Sequence, residues 1–245
     1  MNKLQVYNLF RKKRELNKGL LITFEGIDGA GKGTHVNQLE KELRSTGYKV
    51  KKISFPDYKS PIGEVIASYL QGDYGDVKSV PHELICIAYG ADRAKMRDEI
   101  NSYLNNGYIV LSDRYTYSNL FTAAKMEESK RLPFIEWIED IEFKEMKVVR
   151  PDWNFFLYVD PQISIARTKE RGKRDYQNGK EDIHENNSQL LIDTTKTYID
   201  FANSKDNWII INQMKDKKQI PIDEVFNMIK SHVKTLISEV EKEEL

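Results

Sequence analysis

Residues 20–34, LLITFEGIDGAGKGT, constrain this chain more than any other stretch. Leu20, Leu21, Ile22 and Phe24 around Thr23 predict a buried strand that stops at Gly26, and a helical pattern begins after Gly31. Between them, Gly26-x-x-x-x-Gly31-Lys32 has the spacing of a phosphate-binding loop, in the strand–loop–helix setting that the motif needs. Glycines let successive backbone N–H groups turn inward around an anion, and the helix N-terminus adds partial positive charge. Lys32 brings a full charge to the terminal phosphates. The bland alternative is a Gly-rich strand-to-helix turn with an incidental lysine.

Two positions sit oddly in such a loop. Gly33 follows Lys32 where a Ser or Thr hydroxyl normally ligates Mg²⁺, and a hydroxyl comes only at Thr34. The expectation is a metal held through water, phosphate and carboxylates, which its reluctance to shed water permits. Asp28 is a carboxylate in a loop meant for anions. It would repel phosphate unless it handles a metal or orients a neighbouring hydroxyl or basic group; a turn-forming Asp-Gly is the other reading.

The 245 residues suffice for one large α/β domain. A formal net charge of zero gives no general attraction to nucleic acid or acidic membranes. No run of about 18 apolar residues suggests a membrane span. Residues 1–18 are basic, without the apolar core of a signal peptide, and are expected to be a flexible extension. Cys86 is the only cysteine and lies in a helical apolar run, which reads as a small buried side chain. These features suit a soluble cytoplasmic protein.

Strands and helices alternate along the chain. Helices are predicted at Thr34–Thr46, Pro61–Leu70, Pro81–Leu104, Pro133–Lys147, Pro161–Arg171, Glu185 to about Ala202, and Ile222–Glu241. The last carries Val225, Ile229, Val233, Leu236 and Val240 along one stripe. Further strands are predicted at Tyr48–Phe55, Tyr108–Ser112, Asp152–Asp160 and Asn207–Asn212. That alternation implies a mainly parallel five-stranded sheet covered by helices on both faces, one domain over 19–245. Ligands in such sheets bind beyond the carboxyl ends of the strands, which gathers Gly26–Thr34, Phe55–Tyr58 and Asp113–Tyr115 at one edge.

Several side chains there suit a second ligand. Tyr89 and Arg93, four apart on a helix, face the same way, and a ring beside a guanidinium fits a flat heterocycle. Alternatively Tyr89 is core and Arg93 pairs with a carboxylate. Asp113 ends a strand where a carboxylate would hold Mg²⁺ or its waters, and Arg114 would clamp a phosphate; a loop salt bridge is the alternative. Ser118 and Asn119 offer polar groups to a base edge. Arg167, Arg171 and Arg174 share one helical face, either a solvated surface or the lid (about 167–184) that closes over phosphates.

FEGIDGAGKGT at 24–34, FPDYKSPIG at 55–63, AYGADRA at 88–94 and SDRYTYSN at 112–119 together resemble the thymidylate (dTMP) kinases. YVDPQISIARTKERG at 158–172 and DIHE at 182–185 extend the likeness. The resemblance implies phosphoryl transfer from ATP, with Mg²⁺, to dTMP by a homodimer of a phosphate-loop kinase fold. It implies that Gly26, Ile27, Asp28, Gly29, Ala30, Gly31, Lys32, Gly33 and Thr34 hold ATP. Phe55 and Tyr58 would line the dTMP pocket with Asp28 and Ser118, Tyr89 would stack on thymine, and Arg93 and Asn119 would read its O4/N3 edge. Arg114 would grip the dTMP phosphate, and Asp182 and Glu185 would lie near sugar and metal. Lys32, Arg114, Asp28 and the lid arginines Arg167, Arg171 and Arg174 would be catalytic, with Asp113 and Asp28 at the metal. Thr122 departs from the likeness, standing where many relatives carry a ring against the deoxyribose. A kinase for another nucleoside monophosphate or deoxynucleoside, or a non-catalytic nucleotide-binding module, are the other readings.

Overall fold

The structure, a computed structural model, describes residues 16, 18–75, 79–171 and 188–243. Five strands form one parallel sheet: β1 (Leu20–Glu25), β2 (Val50–Ser54), β3 (Ile109–Asp113), β4 (Trp153–Tyr158) and β5 (Trp208–Asn212), in the order β2-β3-β1-β4-β5. The first strand is central, paired with β3 on one side and β4 on the other, so the strand order reverses beside it. Successive β1 side chains point to opposite faces. Leu20, Ile22 and Phe24 join a core with Val36 and Leu39 of α1 (Lys32–Ser45). Leu21 joins the opposite core with Val110, Phe156 and Tyr198. Glu25 falls on the same face as Leu21, fully buried.

The helices between are α2 (Pro61–Leu70), α3 (His82–Ala94), α4 (Arg97–Asn105), the single turn α5 (Leu120–Ala123), α6 (Glu128–Glu139), α7 (Pro161–Arg171), α8 (Ser188–Asn203) and α9 (Ile222–Glu243). The predicted stripe of α9 packs into the β1 core, with Val225, Ile229 and Val233 fully buried. Fully burying an aliphatic side chain of this size is worth about 1.5–3 kcal/mol.

Two expectations on elements need correction, and one element is new. Pro81–Leu104 is two helices, not one. Met96 N–H bonds back to Arg93 at 3.0 Å, a tightened last turn, and Lys95 is held by Asp57 at 2.7 Å and Asp92 at 2.9 Å. Neither Gly nor Pro marks that break, which falls where Asp57 meets Lys95. Helix α6 starts at Glu128 and carries Pro133 inside, then passes into a π-helical turn, Asp140–Glu145. A small hairpin, β6 (Met214–Lys215) with β7 (Lys218–Gln219), was not foreseen. At the start, Leu16 is buried in the core, within the segment expected to be a flexible extension.

Candidate active site

The loop after β1 has the backbone that its glycines predict. Gly29 and Gly31 hold left-handed conformations at φ 77° and 81°, and Gly31 caps α1, whose first residue is Lys32. Lys32 Nζ donates to the carbonyls of Gly26 (2.8 Å) and Ile27 (2.9 Å), folding the ammonium over the loop. Parallel pairing puts Phe24 beside Asp113, so the ends of β1 and β3 deliver the loop and Asp113-Arg114 side by side.

Arg114 sits at φ 67°, a conformation that costs a non-glycine residue about 1–3 kcal/mol and points to function. Its N–H bonds the Phe24 carbonyl at 3.0 Å, and its Nη2 donates to Asp28 Oδ1 at 2.8 Å. That contact resolves the oddity of Asp28: the loop carboxylate orients a basic group. Burial opposes the charge on Arg114, yet Asp28, with smaller contributions from Tyr198, Asp113 and Glu25, keeps the guanidinium firmly protonated. A hydroxyl-bearing residue at position 33 would bring its Cβ to 3.0 Å from Asp113 Oδ2, so the Asp113 carboxylate leans over the bare Gly33.

Two cavities open on this edge. One runs from the loop past Lys32, Thr34 and Asp113 to Arg167, Gln213 and Gln219. The other is walled by Tyr89, Arg93, Ser118, Asn119, Phe121 and Tyr198. Asp28, Phe55, Pro56, Tyr58 and Arg114 line both. Phe121, beside Thr122 on the same wall, supplies an aromatic ring that reading Thr122 alone would miss.

Of the alternatives open for Arg93, the structure shows the pairing with a carboxylate, at a place on the cavity wall. Arg93 lines the cavity, yet it is also paired with Glu142 in a two-pronged contact through Nε (2.7 Å) and Nη2. Both side chains are buried. Burial disfavours the Arg93 charge, and Glu142 outweighs it. Removing one partner of such a buried pair costs about 3–5 kcal/mol. Asn119 Nδ2 and Thr116 Oγ1 donate to the same carboxylate, each at 2.8 Å. Ser118 Oγ, expected at the base edge, instead donates to Glu25 at 2.6 Å.

Sequence reasoning missed the buried acids. Glu25 also accepts from the Tyr115 N–H (2.8 Å) and the Tyr198 hydroxyl (3.2 Å). Burial lifts its carboxyl to about 7, against the bonds from Ser118 and Tyr115 and the charge of Arg114. Its place inside the loop signature was a signal; Glu142, in a charged run, gave none. Cys86 is buried as expected, and burial pushes its thiol up to about 12. Of the lid arginines, Arg167 bonds the Gly29 carbonyl at 3.1 Å and Gln219, tying α7 to the loop and the hairpin. The Arg171 side chain, Arg174, Asp182 and Glu185 lie outside the described residues.

A family model for thymidylate kinase matches residues 24–229. The chain belongs to the thymidylate kinase family. It is therefore a phosphotransferase of the phosphate-loop type. The enzyme is 31% identical over 185 residues to the thymidylate kinase of Mycobacterium tuberculosis, covering 75% of this chain and 86% of that one. With that of Plasmodium falciparum it is 30% identical over 217 residues, covering 88% and 92%. The solved structure of thymidylate kinase from Candida albicans, described as having broad substrate specificity, superposes with a TM-score of 0.66 at 25% identity, covering 89% and 92%. No described helix of the enzyme is long and apolar enough to cross a membrane.

Proposed function

We propose that the enzyme transfers the γ-phosphoryl group of ATP to dTMP, giving dTDP and ADP. The observation that carries this is the wall common to the two cavities: Asp28 and Arg114 stand between the loop site and the Tyr89–Arg93 site. ATP takes the loop cavity through Gly26–Thr34, with Lys32 leaving its carbonyl partners for the terminal phosphates. dTMP takes the other, its ring against Tyr89 and its phosphate toward Arg114. The acceptor oxygen already bears negative charge, so no general base is needed. Catalysis is positioning plus charge neutralisation by Lys32, Arg114 and Arg167.

Mg²⁺ fits the donor set. Asp113 reaches over Gly33 beside Thr34, and one carboxylate with phosphate oxygens and waters suits an ion that keeps its water. Asp28 is committed to Arg114, which leaves Asp113 the better holder. When bound, the ion neutralises phosphate charge.

We take the working form to be a homodimer joined across α2 and α3. These helices pack on each other through Ile66, Tyr69, Leu70 and Ile85, yet leave Val65, Leu84 and Ile87 exposed. The balanced net charge offers no general attraction to nucleic acid, and the single unpaired cysteine suits the reducing cytoplasm. An ADP-release assay over nucleosides and nucleoside monophosphates tests the acceptor. dTMP is expected to give the highest kcat/KM; a nucleoside or a purine monophosphate winning overturns the reading, and nucleotide binding without turnover on any acceptor favours a non-catalytic module.

A further inference from the structure

Glu142 is a buried carboxylate, 1% exposed, behind the wall of the acceptor cavity. It belongs to no motif of the loop, and it touches both side chains that are expected to read the base. We propose that Glu142 sets which pyrimidine the cavity takes, by fixing the hydrogen-bonding polarity of the edge formed by Arg93 and Asn119. This rests on the acceptor reading above.

An ionised carboxylate only accepts, so the Asn119 amide must turn its NH₂ toward Glu142. Its Oδ1 is then the group left for the cavity that Asn119 lines. Arg93 has no acceptor. Nε and Nη2 engage Glu142 and Nη1 engages the Tyr115 carbonyl at 3.3 Å, which leaves N–H groups on both terminal nitrogens to donate. The edge therefore reads donor from Arg93 and acceptor from Asn119. A 4-oxo pyrimidine with a protonated N3 presents acceptor and donor, the complement at both points. A 4-amino pyrimidine presents donor and acceptor and is opposed at both. Sites built to hydrogen-bond a ligand reject the mismatched analogue strongly, because their buried polar groups are left unpaired.

The backbone is shaped for this contact. A Cβ on Gly90 of α3 would stand 3.1 Å from Glu142 Cγ and 2.8 Å from Met146 Sδ, so the Glu142 and Met146 side chains pack directly on the bare backbone of Gly90. Such turns recur at functional sites.

Wild-type enzyme and Glu142→Gln are compared by kcat/KM for dTMP and dCMP, with folding checked by circular dichroism. Glutamine brings an NH₂ of its own, which lets the Asn119 amide reverse and offer its NH₂ to the cavity. The dTMP/dCMP ratio is expected to fall at least about tenfold. Gly90→Ala crowds the Glu142 and Met146 side chains without removing the Glu142 charge and is expected to lower the same ratio; it decides alone should Glu142→Gln not fold. A merely structural carboxylate would slow both substrates together. An unchanged ratio in folded variants of an enzyme that prefers dTMP overturns this inference and leaves the acceptor reading standing. A wild-type enzyme that does not prefer dTMP to dCMP overturns the acceptor reading itself.

Discussion

In the proposed reaction, Arg114 concentrates the chemistry in one residue. It is held in a left-handed conformation, pinned by the Phe24 carbonyl and faced by Asp28. A phosphate entering the cavity competes with Asp28 for the guanidinium. Truncation to alanine removes a charge aimed at the transferring group, and comparable donors are worth about 10²–10³ in kcat. Arg114→Ala and Lys32→Ala are each expected to lose that much in a coupled assay, with the fold intact by circular dichroism; turnover within threefold of wild type in either would refute the assignment. Glu25 yields a different test. Its folded carboxyl titrates near 7, above the ordinary 4.5, so the unfolded chain ionises first. Its stabilising contribution is whole below pH 4.5 and is lost as the pH climbs to about 7, by up to about 3 kcal/mol. Urea titrations of wild type and Glu25→Gln should therefore show a stability difference that shifts in the variant's favour between pH 4.5 and 7.5. A difference that does not vary with pH would show that the carboxyl is not displaced.

The elements explain why some of this was legible and some not. The loop, the strand ends and the α9 stripe follow from local pattern: glycine spacing, short apolar runs and a 3.6-residue period. The break at Lys95–Met96 was not legible, because no breaker residue marks it; it falls where Asp57 reaches Lys95 from outside the helix. The π-helical turn was hidden for a similar reason. Periodicity predicted one helix over Pro133–Lys147 and could not see the change of register that starts at Asp140. With that register went Glu142, and so did the partner that Arg93 was allowed but not assigned. The α2–α3 pair carries its own prediction. If Val65, Leu84 and Ile87 meet a second copy, Leu84→Glu buries a charge in the interface and should give monomers by sedimentation. A wild-type enzyme that sediments as a monomer, or a variant that stays dimeric, places the contact elsewhere.

For the whole molecule, alternation of strand and helix led to the five-stranded parallel sheet, and the order β2-β3-β1-β4-β5 accounts for where the ligand edge lies. That same order has a consequence in time. β1 completes none of its ladders with a neighbour in sequence; its partners are β3 and β4, and Leu21 N–H reaches Asp152 Oδ2 across 131 residues. Contacts that close such long loops form slowly, and half-built parallel sheets expose sticky edges. During synthesis the glycine loop therefore emerges early, yet one flank of β1 stays open until β4 has left the ribosome, so nascent chains that lack β4 should depend on chaperones rather than on nucleotide for protection.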